Sequence, residues 1–132
     1  MKNTRKSKKK TSDELLSWFE IPVLNLDRAI SFYSAIFNVS FESMTTPAHS
    51  MAFFPKESGV GGALIFGDGC VPSQSGALLY LNVGSDLDQK LAEVDKIGGQ
   101  VIMGSTLLGD EVGHYSLILD SEGNRIALFT KN

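Results

Sequence analysis

The sequence predicts an α+β fold: two βαβββ modules whose mixed sheets curl around a central cleft. Three observations carry that prediction. The order strand, helix and three strands can be read twice along the 132 residues. Each half has one helix with an apolar stripe at helical spacing. A stretch punctuated by glycine, proline and serine, DGCVPSQSG, separates the halves. Each module covers one sheet face with its own helix and leaves the other free. Two such sheets side by side enclose a hollow, and pockets favour concave places of this kind.

The folded part, a single domain over residues 15–132, is expected to begin near Leu15. SWFEIPVLN is rich in aromatic and β-branched residues and reads as a strand. In LDRAISFYSAIF, residues Ala29, Ile30, Phe32, Tyr33, Ile36 and Phe37 form a broad apolar stripe, and Asn25 or Asp27 is placed to cap the helix. VSFESMTT and SMAFFP are strand-like and joined across Pro47, and GGALIFG supplies another short strand. The modules are expected at about 17–67 and 77–131, with 68–76 as linker. In the second, ALLYLNV reads as a strand. DLDQKLAEVDKIGG reads as a helix, with Leu87, Leu91, Val94 and Ile97 three or four apart. Gly98 or Gly99 ends it in a left-handed conformation. QVIMGST, GHYSLILD and NRIALFT are the remaining strands, and SEGN is a tight turn before the last.

A composition 42% hydrophobic and 20% charged is that of a soluble globular protein. No apolar run approaches the ~18 residues that span a bilayer, so no membrane partner is expected. The basic N-terminus is followed by Thr-Ser-Asp-Glu where a secretory signal would turn apolar. A lone cysteine, Cys70, excludes an internal disulfide and gives no metal-site spacing. A cytoplasmic location is the expectation. The net charge of −3 hides an asymmetry: six of the 12 basic residues are Lys2, Arg5, Lys6, Lys8, Lys9 and Lys10. The other six stand against all 15 acids, so the body carries minus nine. Residues 1–14 read as a disordered basic tail. Nothing aromatic interleaves its lysines, and the acidic body opposes nucleic acid as a partner.

With these elements in place, the residues resemble a known family. FEIPVLNLDRAISFYSAIF is similar to the opening of vicinal-oxygen-chelate proteins, the superfamily of glyoxalase I, extradiol dioxygenases and bleomycin-resistance proteins. GGALIFG resembles its first-module closing strand, LYLNV with DLDQKLAEVDKIGGQV its second strand and helix, and DSEGNRIALF its final hairpin. The resemblance spans Trp18 to Phe129 and implies paired βαβββ modules. It also implies chemistry at a central divalent metal, which would polarise substrate oxygens as a Lewis acid. The positions of its usual ligands fall on Trp18, near Ile65, on Leu78 or Leu79, and on Ala127. None of these side chains binds a metal, so no metal and no other cofactor is expected.

What remains for a site is aromatic and polar. If Trp18 faces the hollow, alternation puts Glu20 and Pro22 beside it. A carboxylate in an apolar hollow is a candidate general base, with His114 or Tyr115 as acid. The other reading of Glu20 is a carboxylate bonded to a neighbour such as Arg125, or to a ligand amine. Trp18, Glu20, Phe53, Tyr80, Tyr115, Arg125 and Phe129 are the candidate ligand-binding residues. Phe53 and Phe54 must point opposite ways, so only one lines the hollow. His49 is a further candidate for moving protons but sits in a connection. The expectation is a metal-free protein that holds a small hydrophobic or aromatic ligand, as a homodimer. The alternative is a lyase, isomerase or dioxygenase-related enzyme resembling glyoxalase I, with a non-standard site.

Overall fold

The computed structural model describes residues 15–56 and 60–131. The expected tail, residues 1–14, lies outside them. The first module runs β1 (Trp18–Pro22), α1 (Leu26–Phe37), β2 (Glu42–Thr45), β3 (His49–Phe53) and β4 (Gly61–Gly67). The second runs β5 (Tyr80–Asn82), α2 (Leu87–Val94) with a 3-10 turn (Asp95–Ile97), β6 (Gln100–Gly109), β7 (Gly113–Leu119) and β8 (Arg125–Lys131). The sheets have equivalent orders, β1-β4-β3-β2 and β5-β8-β7-β6. In each, the first strand is parallel to the last and the other pairs are antiparallel. The βαβββ arrangement is therefore present twice.

Local chemistry explains the helix ends. Asn25 is extended and its side chain accepts the Arg28 amide, so it, not Asp27, is the N-cap of α1. Asp27 adds a negative charge to the first turn, where the helix dipole favours it. Asn38, at φ 55°, stops the helix in the left-handed region. The second helix is less well made. Asp86 precedes it at φ 63° with no side-chain cap, and it tightens into the 3-10 turn before Gly98 ends it at φ 104°.

Both modules contribute to one core. Ile21, Phe32, Tyr33, Ile36 and Leu64 of the first pack in one cluster with Leu87, Val94, Ile118, Ile126 and Leu128 of the second. Phe54 lies at the centre of an aromatic group with Phe19, Tyr33 and Phe41, at ring-centroid separations of 5.4, 5.7 and 4.7 Å. β6 is longer than expected and irregular, with three register shifts against β7.

The turn between β7 and β8 does more than reverse the chain. Asp120 Oδ1 accepts the amides of Glu122 and Asn124 at 2.8 and 2.9 Å and so shapes the turn. Its Oδ2 receives the Tyr33 hydroxyl at 2.6 Å from α1. The side chain of Glu122 is fully buried and meets the first module. Its Oε1 accepts the amides of Leu24 and Asn25, both at 2.9 Å, and Arg28 Nη2 at 2.8 Å. Its Oε2 accepts Arg28 Nε at 2.8 Å and the Ser121 hydroxyl at 2.7 Å. Asn124 Nδ2 donates to Pro22 O at 2.7 Å, and its Oδ1 accepts the Ser73 amide at 3.0 Å. One five-residue turn thus holds the end of β1, the start of α1 and the connection between modules.

Burial by itself would raise the Glu122 pKa. The hydrogen bonds from Arg28, Ser121, Asn25 and Leu24 outweigh it and hold the value at about 2, against an ordinary 4.5. A carboxyl lowered in the folded state stabilises the fold above its unfolded pKa and loses that contribution as the pH falls through the folded one. Urea denaturation should therefore show stability falling between pH 4.5 and about 2, and Glu122→Gln should flatten that window. At pH 7 the same substitution should cost about 2 kcal/mol, less than a fully buried pair because Arg28 is half exposed. An unchanged acid profile in Glu122→Gln would remove this carboxylate as its cause.

Candidate functional site

Directly paired residues on neighbouring strands share a sheet face, and alternate residues along a strand do too. The buried core residues Ile21 and Leu64 mark the helix-covered face of the first sheet. Trp18, Glu20 and Pro22 are therefore on its free face, opposite Gly61, Ala63 and Ile65. Phe53 pairs with Ala63 and joins them, whereas Phe54 belongs to the aromatic core group. In the second sheet, Leu128 marks the covered face. Tyr80, Tyr115, Ala127 and Phe129 share the free one.

Each free face carries its own aromatic pair. Trp18 and Phe53 lie 6.1 Å apart at an interplanar angle of 56°, and Tyr80 and Tyr115 lie 5.5 Å apart at 48°. Trp18 is 42% exposed and Tyr80 45%, so both faces present aromatic surface to solvent. The Gly61–Gly62 pair explains how the first face is built. A Cβ on Gly61 would stand 2.9 Å from Trp18 Cζ3, and one on Gly62 would stand 2.3 Å from the Phe19 ring. One glycine lets the indole settle on the free face; the other makes room for phenylalanine on the covered face. The indole N–H donates to Glu20 Oε2 at 3.2 Å.

The donor set does not fit a central metal. Trp18, Ile65 and Ala127 do lie on the free faces, and the two leucines at 78 and 79 complete the positions. No side chain among them offers a lone pair suited to a divalent ion. Ala127 is wholly buried. Among the described residues, no three His, Cys, Asp or Glu side chains form a group able to hold an ion.

The acid–base candidates are spread over the two modules, Glu20 on β1 and His114 and Tyr115 on β7. Glu20 stands exposed. His114 pairs with Thr130 and so points to the opposite face of β7 from Tyr115. His49, by its pairing with Gly67, lies on the free side of the first sheet. Arg125 does not meet Glu20 in an ion pair, because its Nη2 donates to Gly76 O at 3.1 Å. Both residues nevertheless line one cavity of about 250 Å³, between β1, the connection after β4 and the start of β8. Pro22, Val71, Leu79 and Asn124 also form its walls. Arg125 Nε is buried without a hydrogen-bond partner. Sequence reasoning took Asp120, Glu122 and Asn124 for a plain turn. Three polar residues at alternate positions were the signal available.

Paired βαβββ modules with free, cupped faces define the vicinal-oxygen-chelate architecture, and comparison with known proteins agrees. No protein-family model matches the chain. A "Glyoxylase-like domain-containing protein" of Didymella fabae is 34% identical over 125 residues, covering 88% of this chain and 93% of that protein. A glyoxylase/bleomycin resistance protein/dioxygenase domain from Frankia sp. EAN1pec superposes with a TM-score of 0.67 at 18% identity, over 90% of this chain and 97% of that one. A genomically encoded fosfomycin resistance protein from Listeria monocytogenes gives 0.65 at 17% identity, over 90% and 94%. The chain belongs to the glyoxalase-like proteins of the vicinal-oxygen-chelate superfamily. Among its described residues no helix is long and apolar enough to cross a membrane.

The two glycines make separable predictions. Gly62→Ala should destabilise the fold by about 2 kcal/mol, because a methyl group must displace the Phe19 ring. Gly61→Val should instead move the indole and shift the emission of Trp18, the sole tryptophan. Equal stability of Gly62→Ala and the parent in urea would refute the packing argument.

Proposed function

We propose that the chain is a metal-free binding protein that holds a small hydrophobic or aromatic molecule against the free faces of its sheets. The observation that carries this reading is the pairing of two exposed aromatic couples, Trp18–Phe53 and Tyr80–Tyr115, with four ligand positions that hold no metal donor. Aromatic walls take flat organic ligands by stacking and by burial of area. The names of its relatives point both to binding, as in bleomycin resistance, and to chemistry, as in glyoxalase I. Without the metal donors, the first is the better supported.

A homodimer is part of the proposal. Each sheet leaves its free face uncovered within the chain, and apolar side chains such as Met44, at 48% exposure, stand on the first. A second copy would close these faces and shelter the ligand. The working location is the cytoplasm. Nucleic acid is not proposed as a partner, and removal of residues 1–12 should leave ligand binding unchanged.

The test combines metal analysis with ligand screening of the full chain. Elemental analysis and titration with Ni, Zn, Mn and Fe(II) should show no stoichiometric metal. Aromatic compounds should raise the melting temperature by mass action and quench Trp18. One tightly bound metal per chain would overturn the reading and favour an enzyme related to glyoxalase I. Light scattering should give twice the chain mass of 14.3 kDa; a monomer would sink the dimer.

A further inference from the structure

The cavity between the modules has a chemical character of its own. Its volume of about 250 Å³ lies below the roughly 300–1,000 Å³ usual for drug-sized ligands, so it suits a single ring or short chain. Pro22, Val71 and Leu79 make much of its wall apolar. Glu20 and Arg125 supply two opposite charges from different modules.

The two charges are both under-used. An arginine has five donors and is always charged. Arg125 places one bond on Gly76 O, leaves Nε sealed without an acceptor, and has no carboxylate in salt-bridge reach among the described residues. Its remaining Nη donors are matched by a carboxylate, which accepts charge-assisted N–H bonds. Glu20 receives the Trp18 indole on one oxygen, and an ammonium group can be bound at the other. The acidic body disfavours a simple anion, but a molecule carrying both charges adds none.

We propose that this cavity binds a small zwitterion of the α-amino-acid type, its carboxylate on Arg125, its ammonium on Glu20 and its apolar body against Pro22, Val71 and Leu79. The inference rests on the small-molecule-binding reading above and adds the ligand's chemical class. It also assigns Arg125 and Glu20 as determinants of specificity for the two adjacent charges of one ligand.

Trp18 provides the readout, since its indole N–H contacts Glu20 directly and the chain has no other tryptophan. The full-length protein would be titrated with L-phenylalanine, 3-phenylpropionate, 2-phenylethylamine and, as an uncharged control, toluene. Calorimetry and the indole N–H resonance would be followed together. Phenylalanine should bind at least about tenfold more tightly than either half-molecule. Arg125→Gln should weaken phenylalanine and phenylpropionate but not phenylethylamine, and Glu20→Gln should weaken phenylalanine and phenylethylamine but not phenylpropionate. The comparison of ligands on the unaltered protein decides the matter even if a variant fails to fold. Equal affinity for all three charged compounds overturns the proposal. So does silence towards all three with toluene bound, which leaves the broader reading intact. Silence towards all four counts against both.

Discussion

The carboxylate of Glu122 is the interaction on which the arrangement of the two modules depends. A buried charge is costly unless it is paired and hydrogen-bonded. Here the two oxygens accept five bonds: two backbone amides at the start of α1, two guanidinium donors from Arg28 and the adjacent Ser121 hydroxyl. The amides belong to a stretch that must leave β1 and enter a helix, where backbone donors lack intrahelical partners. Glu122 satisfies them from the other module. Helix entry in one half therefore becomes conditional on turn formation in the other. Apolar contact between the modules favours association in general, while these directional bonds select one register.

Asp120 and Asn124 extend that selection to both sides of the sheet. Asp120 ties the turn to Tyr33 inside the core, a hydroxyl whose deprotonation is strongly opposed by burial and by the Asp120 charge. Asn124 reaches Pro22 at the end of β1 and Ser73 in the connection. Core, helix entry and strand edge are thus positioned from a single hairpin. The hairpin can do this because Asp120 first braces it through the amides of Glu122 and Asn124.

Much of the fold was legible because its signals are local. The apolar stripe of α1, the glycine that ends the second helix and the alternation of the strands each reveal themselves within a dozen residues. Alternation also fixed which face Trp18 and Glu20 share and separated Phe53 from Phe54. The same rule, applied to adjacent His114 and Tyr115, shows that the two cannot line one face. The clamp was not legible, since Glu122 meets Arg28 across 94 residues, Tyr33 meets Asp120 across 87 and Asn124 meets Pro22 across 102. No local pattern records partners so distant. The acceptor of Arg125 escaped the sequence for a related reason. Its face follows from alternation, but its acceptor is a backbone carbonyl of the connection, a feature of loop geometry rather than of residue type.

The clamp and the inter-module cavity are parts of one construction. Pro22 and Asn124, joined by a hydrogen bond, are also cavity walls. Glu20 lies two residues from the first, and Arg125 adjoins the second. The backbone positions that carry the two charges are therefore tied by the same bond that holds β1 to the turn. Left free, a carboxylate and a guanidinium facing a small cavity would gain by closing on each other. That bond fixes β1 relative to the turn, and the carbonyl of Gly76 engages the Arg125 head. The fold thus leaves the two charges unpaired with each other at the cavity wall, whereas the charge pair of the clamp, Arg28 with Glu122, is closed by two direct hydrogen bonds.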